Sequence, residues 1–138
     1  MDVVSIVIGG ASLALAIWSL VLSKKGIKKS DENAKKQIQS QAFSDFSSRY
    51  LEISKNLQNA TVKKWYQQRY LDLCRDEFVS NKQGNLPKEV WDMFVERMRL
   101  TVKQDTSFLT IWKNYAQTFN QDFVTFFDNE VFRKIGLI

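Results

Sequence analysis

Histidine is absent from this chain of 138 residues, cysteine and proline occur once each, and glycine five times. Each scarcity closes off a chemistry or an architecture. Without histidine there is no Ser-His-Asp or Cys-His nucleophilic centre, no common zinc pattern and no histidine-based RNA cleavage. The few glycines form neither a phosphate-cradling loop nor a dinucleotide fingerprint. Cys74 cannot close an internal disulfide and suits a reducing compartment. It lies in an apolar helical stretch, where a buried structural thiol is expected rather than a nucleophile. Pro87 is the single proline, which favours long helices over strands and turns. The carboxylates that remain for chemistry are Asp72, Asp76 and Glu77, then Asp128 and Glu130. Asp72 and Asp76 stand one helical turn apart, the right spacing to share a cation. Arg69 and Arg75 are close by in sequence, so salt bridges at a bundle surface are the expected use. The chain is read as no enzyme, with no cofactor and no metal.

Charge is scarce in one place above all. Val3 to Leu22 carries neither charge nor proline, and as a helix it rises roughly 30 Å, enough to cross a bilayer's hydrocarbon core. A cleaved secretory signal fits less well, because no Lys or Arg precedes the run and no small-residue cleavage pattern follows it. Lys24, Lys25, Lys28 and Lys29 come directly after the span. By the positive-inside rule the amino terminus is expected outside and the rest of the chain in the cytoplasm, as a single-pass protein of the inner (cytoplasmic) membrane. Residues 24–36, with Lys35 and Lys36 completing the basic set, hold six lysines against Asp31 and Glu32. Residues 37–138 are nearly balanced, with 14 basic and 12 acidic side chains. The basic excess thus lies where anionic headgroups attract it, and nucleic acid is disfavoured as a partner.

A stripe of small uncharged residues runs through the apolar segment and beyond it. Alternating steps of four and three give Ser5, Gly9, Ser12, Ala16, Ser19, Ser23, Gly26 and Ser30, and then Asn33, Gln37, Ser40, Ser44 and Ser47. Such steps mark one face of a helix. A face this small and polar suits neighbouring helices or a watery lumen better than lipid.

The expected fold class is all-α: an N-terminal transmembrane helix continuing into a cytoplasmic helical bundle. The expected divisions are 1–23 for the anchor, 24–36 for the basic juxtamembrane segment and 37–138 for the bundle. The first helix is expected to reach about Leu57 and to pack through Ala34, Ile38, Ala42, Phe46, Tyr50, Ile53 and Leu57. Thr61 is the expected cap of a second helix ending near Val79, with Val62, Trp65, Tyr66, Tyr70, Leu73 and Cys74 in its core. A loop over Ser80–Asn85 and Pro87 at a first helical turn lead to a third helix with Val90, Trp91, Phe94, Val95, Met98 and Val102 inside. Asp105 or Thr106 caps a fourth, carrying Phe108, Trp112 and Tyr115. The aromatic tail, with Phe123, Phe126, Phe127 and Phe132, is expected to be packed.

The order Tyr70, Leu73, Glu77, Phe78, Gly84, Leu86, Pro87, Val90, Trp91, Phe108 and Trp112 resembles a group of small bacterial single-pass proteins. The likeness covers roughly the latter half of the chain. The whole layout is similar to the membrane accessory proteins that accompany some RNA-targeting CRISPR effectors. That resemblance implies an oligomeric pore that strengthens antiphage defence, with amino-terminal helices around its axis. The Arg-His ribonuclease motif discussed for that group has no counterpart in a chain without histidine.

Two functional classes follow. In the first, copies of the chain assemble in the bilayer through the small stripe, as a pore or a tight helix assembly, in an accessory or effector role of antiphage defence. In the alternative, the span only tethers the bundle, which recruits a cytosolic protein partner. The lipid bilayer is a partner in both.

Overall fold

A computed structural model describes residues 30–138, with side chains from Glu32 onward. The span expected over Val3–Leu22 lies outside the described residues. Among those described, no helix is long and apolar enough to cross a membrane, and no strand occurs. The fold is all-α. Helix α1 spans Ser30–Asn56, α2 Lys63–Lys82, α3 Lys88–Gln104 and α4 Phe108–Tyr115. A 3-10 turn at Ala116–Thr118 leads to α5, Gln121–Phe126, which passes directly into a wider π-helical turn at Phe127–Phe132.

The buried row of α1 runs through Gln39, Phe43, Phe46, Tyr50 and Ile53 to Leu57 just past its end, with Ser54 buried beside it. The row's spacing of four and three keeps it on one face. The expected row is corrected at its start, where Ala34 and Ile38 are exposed, while Ala42 is partly buried against the core. Ile38 is 51% exposed and Phe43 takes the inner place. A strict step of four outruns the helical turn by about 40° each time, so the row drifts off the core.

The break between α1 and α2 is built by Asn59, whose side chain accepts from the Thr61 N–H at 3.1 Å. Thr61 does not cap α2, whose preceding residue, Val62, makes no side-chain cap. Helix α2 runs three residues past Val79, shortening the expected loop. It closes at Gly84, with the Asn85 N–H on the Ser80 carbonyl and the Gly84 N–H on that of Asn81. That pairing needs a left-handed residue between helix and exit, and Gly84 has φ +75. Leu86 and Pro87 are then buried, and Pro87 immediately precedes α3.

Helix α2 runs antiparallel to α1 and to α3. Arg49 meets Asp76 and Glu52 meets Arg69 on one side; Lys63 meets Asp105 and Glu77 meets Arg97 on the other. Val90, Phe94, Met98 and Val102 form the inner face of α3, all fully buried. Trp91 is half-buried, and Trp65 on α2 is 51% exposed, so Trp65 is no core residue. The tail packs as expected. Trp112 lies within ring contact of Phe119, Phe123, Phe127 and Phe132, and its indole N–H donates to Asp128 at 2.7 Å. Asn120 caps α5 by accepting from the Phe123 N–H at 2.9 Å.

The α2 start and the α3 end are joined by Asp105. Its carboxylate takes the Lys63 ammonium at 2.7 Å and both the hydroxyl and the N–H of Ser107. Partial burial pushes its carboxyl up, but Ser107 and Lys63 outweigh that and hold it below the ordinary 3.8. The folded state therefore gives up this proton more readily than the unfolded one. Its stabilisation is present above pH 3.8 and is lost as pH falls through the folded value. Asp105→Asn should lower stability at neutral pH by up to about 1 kcal/mol. Denaturant curves of the two proteins should converge as pH falls through the folded value.

Candidate functional site

Helices α1, α2 and α3 meet at a polar centre. Tyr70, Cys74 and Glu77 stand at steps of four and three on α2, so they share its inner face. All three are completely buried. Phe94 and Arg97 stand one turn apart on α3 and point at that face. Arg97 donates to Glu77 Oε1. Its guanidinium lies against two rings, 4.1 Å from the centroid of Tyr50 on α1 and 4.5 Å from that of Phe94. Stacking on aromatic faces suits a planar, weakly hydrated cation, and the carboxylate supplies its counter-charge.

Burial pushes the Glu77 carboxyl above its ordinary value, opposed by the charge and hydrogen bond of Arg97. Burial alone would lower Arg97; Glu77 and the flanking tyrosines outweigh it and hold the guanidinium protonated. The Tyr70 hydroxyl and the Cys74 thiol are both driven up, first by burial and then by neighbouring acidic groups. Cys74 is thus a buried neutral thiol and no nucleophile.

An outer shell of charge surrounds the centre. Asp76 accepts from Arg49 at 2.9 Å and from Arg75 at 2.9 and 3.1 Å. Asp72 accepts from the Tyr115 hydroxyl at 3.2 Å, and Glu130 pairs with Arg99 at 3.4 Å. Asp72 and Asp76 therefore serve different partners and share no cation. Among the described residues no cluster of metal-ligating side chains occurs. Glu77 corrects the expectation of surface salt bridges for all three α2 carboxylates: it is sealed inside. The signal was present in the sequence, since Glu77 falls in register with Tyr70 and Cys74, and Arg97 lies between Phe94 and Met98.

The other proposed sites divide at the edge of the described residues. Ser5, Gly9, Ser12, Ala16, Ser19, Ser23, Gly26, Lys24, Lys25, Lys28 and Lys29 lie outside them, and Ser30 opens α1. Lys35 is exposed, whereas Lys36 is half-buried with its ammonium nitrogen sealed from solvent, which does not suit a headgroup contact. The onward stripe is largely open: Asn33, Gln37, Ser40 and Ser44 are exposed and Ser47 half-buried. Helical geometry puts this stripe about 120° around α1 from the Phe43–Ile53 face. A shallow groove of about 500 Å³ opens beside Trp91, Val95 and Phe126, but its acids are already engaged, Asp92 by Lys88 and Glu96 and Glu130 by Arg99.

Compared with known proteins, the chain matches no protein family, no curated protein and no solved structure.

Glu77→Leu should destabilise the protein by about 3–5 kcal/mol, because it leaves a buried guanidinium unpaired. Adding Arg97→Met should restore most of that loss, since two apolar groups need no counter-charge. Urea unfolding of the single and double variants reads the difference; equal losses in both would contradict a buried pair.

Proposed function

We propose that the chain is a single-pass membrane protein that assembles with copies of itself through its first helix, as a pore or a tight membrane-helix assembly. The observation that carries the reading is the uncovered stripe on α1. Its own bundle packs against Phe43, Phe46, Tyr50 and Ile53 and leaves Asn33, Gln37, Ser40 and Ser44 open. In sequence this stripe continues, in one register, the Ser5–Ser30 stripe of the apolar segment. Small residues are the usual contact surface of membrane helices, so one continuous face serves association inside the bilayer and beyond it. The lysines from Lys24 to Lys35 sit against anionic headgroups and set the bundle on the cytoplasmic side. The layout it shares with accessory proteins of RNA-targeting systems supports a role in antiphage defence.

A second reading rests on Trp65. This indole is half exposed, with the Arg69 guanidinium 4.6 Å from its ring centroid. Exposed Trp and Arg are frequent anchors of protein interfaces, and this pair suits a membrane-tethered adaptor that recruits a cytosolic protein.

Cross-linking separates the two. With Cys74→Ala as background, Ser40→Cys and Ser44→Cys in membranes should form disulfide-linked dimers on mild oxidation. Lys113→Cys, exposed on α4, should not. Absence of dimers from both serine sites, or equal cross-linking at Lys113, would favour the tethered adaptor.

A further inference from the structure

Three polar atoms at the helix junction are sealed from solvent and make no hydrogen bond of ordinary geometry among the described residues: the Tyr70 hydroxyl, Glu77 Oε2 and Arg97 Nε; the Cys74 thiol beside Tyr70 is a weak partner at most. They belong to one group. Arg97 donates to the other oxygen of Glu77 and stacks on Tyr50, whose ring lies 6.1 Å from that of Tyr70. The Tyr70 hydroxyl lies within the electrostatic reach of both Arg97 and Glu77. Stable cores satisfy their buried polar groups, and three orphans around one ion pair call for a common partner.

Chemistry selects that partner. The Arg97 Nε–H needs an acceptor, Glu77 Oε2 needs a donor, and the Tyr70 hydroxyl takes either. A metal cation would be repelled by the guanidinium, and an anion by the carboxylate. The ligand must be neutral, small, and both donor and acceptor. We propose that one ordered water molecule is bound at this three-helix junction, accepting from Arg97 Nε–H and from the Tyr70 hydroxyl and donating to Glu77 Oε2. Buried waters typically make about three such bonds. The Arg97 side chain is 15% exposed, which gives the water a route from the surface. Through it, the chain of bonds joins Tyr70 and Glu77 of α2 to Arg97 of α3, with Tyr50 of α1 stacked alongside.

Tyr70→Phe in the full-length protein carrying Cys74→Ala tests the assignment, because it removes one oxygen, leaves the ring and breaks no contact with the thiol. A hydroxyl bound to water contributes to stability, so the folding equilibrium constant should fall about fivefold. A hydroxyl with no partner is a burden, and its removal should leave the constant unchanged or raise it; that result would overturn the proposal. The second measurement is a crystal structure at a resolution that shows ordered solvent. Density within hydrogen-bond distance of Glu77 Oε2 and Arg97 Nε is the expected result. A dry junction overturns the proposal whichever way Tyr70→Phe falls.

Discussion

The ion pair between Glu77 and Arg97 is the constraint around which the three long helices are arranged. A carboxylate with no exposed surface is tolerable only if its counter-charge is held in place. Here that holding is done by aromatic rings from two helices, Tyr50 and Phe94, against which the guanidinium lies. Tyr50 fixes the rotation of α1, since turning the helix to bury Ala34 and Ile38 would withdraw the ring from Arg97. The face of α1 that remains open is thus a consequence of the pair. The link runs from two charged residues, through the packing of α1, to the face that the bundle leaves uncovered.

Farther along the chain the packing is aromatic and nearly free of charge. Phe123, Phe127 and Phe132 surround Trp112, and the short α5 and its π-helical turn gain hold from that cluster rather than from their length. The two glycines with positive φ, Gly84 and Gly136, end α2 and the tail by the same pair of backbone bonds.

Much of this was legible in the sequence, for identifiable reasons. The helical class, the Pro87 boundary and the packed tail follow from scarce proline and from aromatic spacing. Ile38 and Trp65 misled because hydrophobicity alone does not say which side of a helix is inner; the partner's rotation decides that. Glu77 misled in the opposite sense. Its neighbours Asp72 and Asp76 do lie at the periphery with Tyr115 and arginine partners. The register of Glu77 with Tyr70 and Cys74 marks the third acid as inward-facing, but composition alone does not name its partner twenty positions away. The apolar segment and the four lysines directly after it were read from hydropathy and charge, and they lie outside the described residues.

The central claim is that the small stripe, in the segment at Ser5–Ser30 and onward along α1, joins copies of this chain in a membrane. The most direct measurement is the mass and symmetry of the full-length protein purified in detergent or nanodiscs, by light scattering and then particle imaging. The account predicts a closed assembly of identical chains with the stripe turned toward its axis. A monodisperse monomer with that stripe facing lipid and solvent would contradict it.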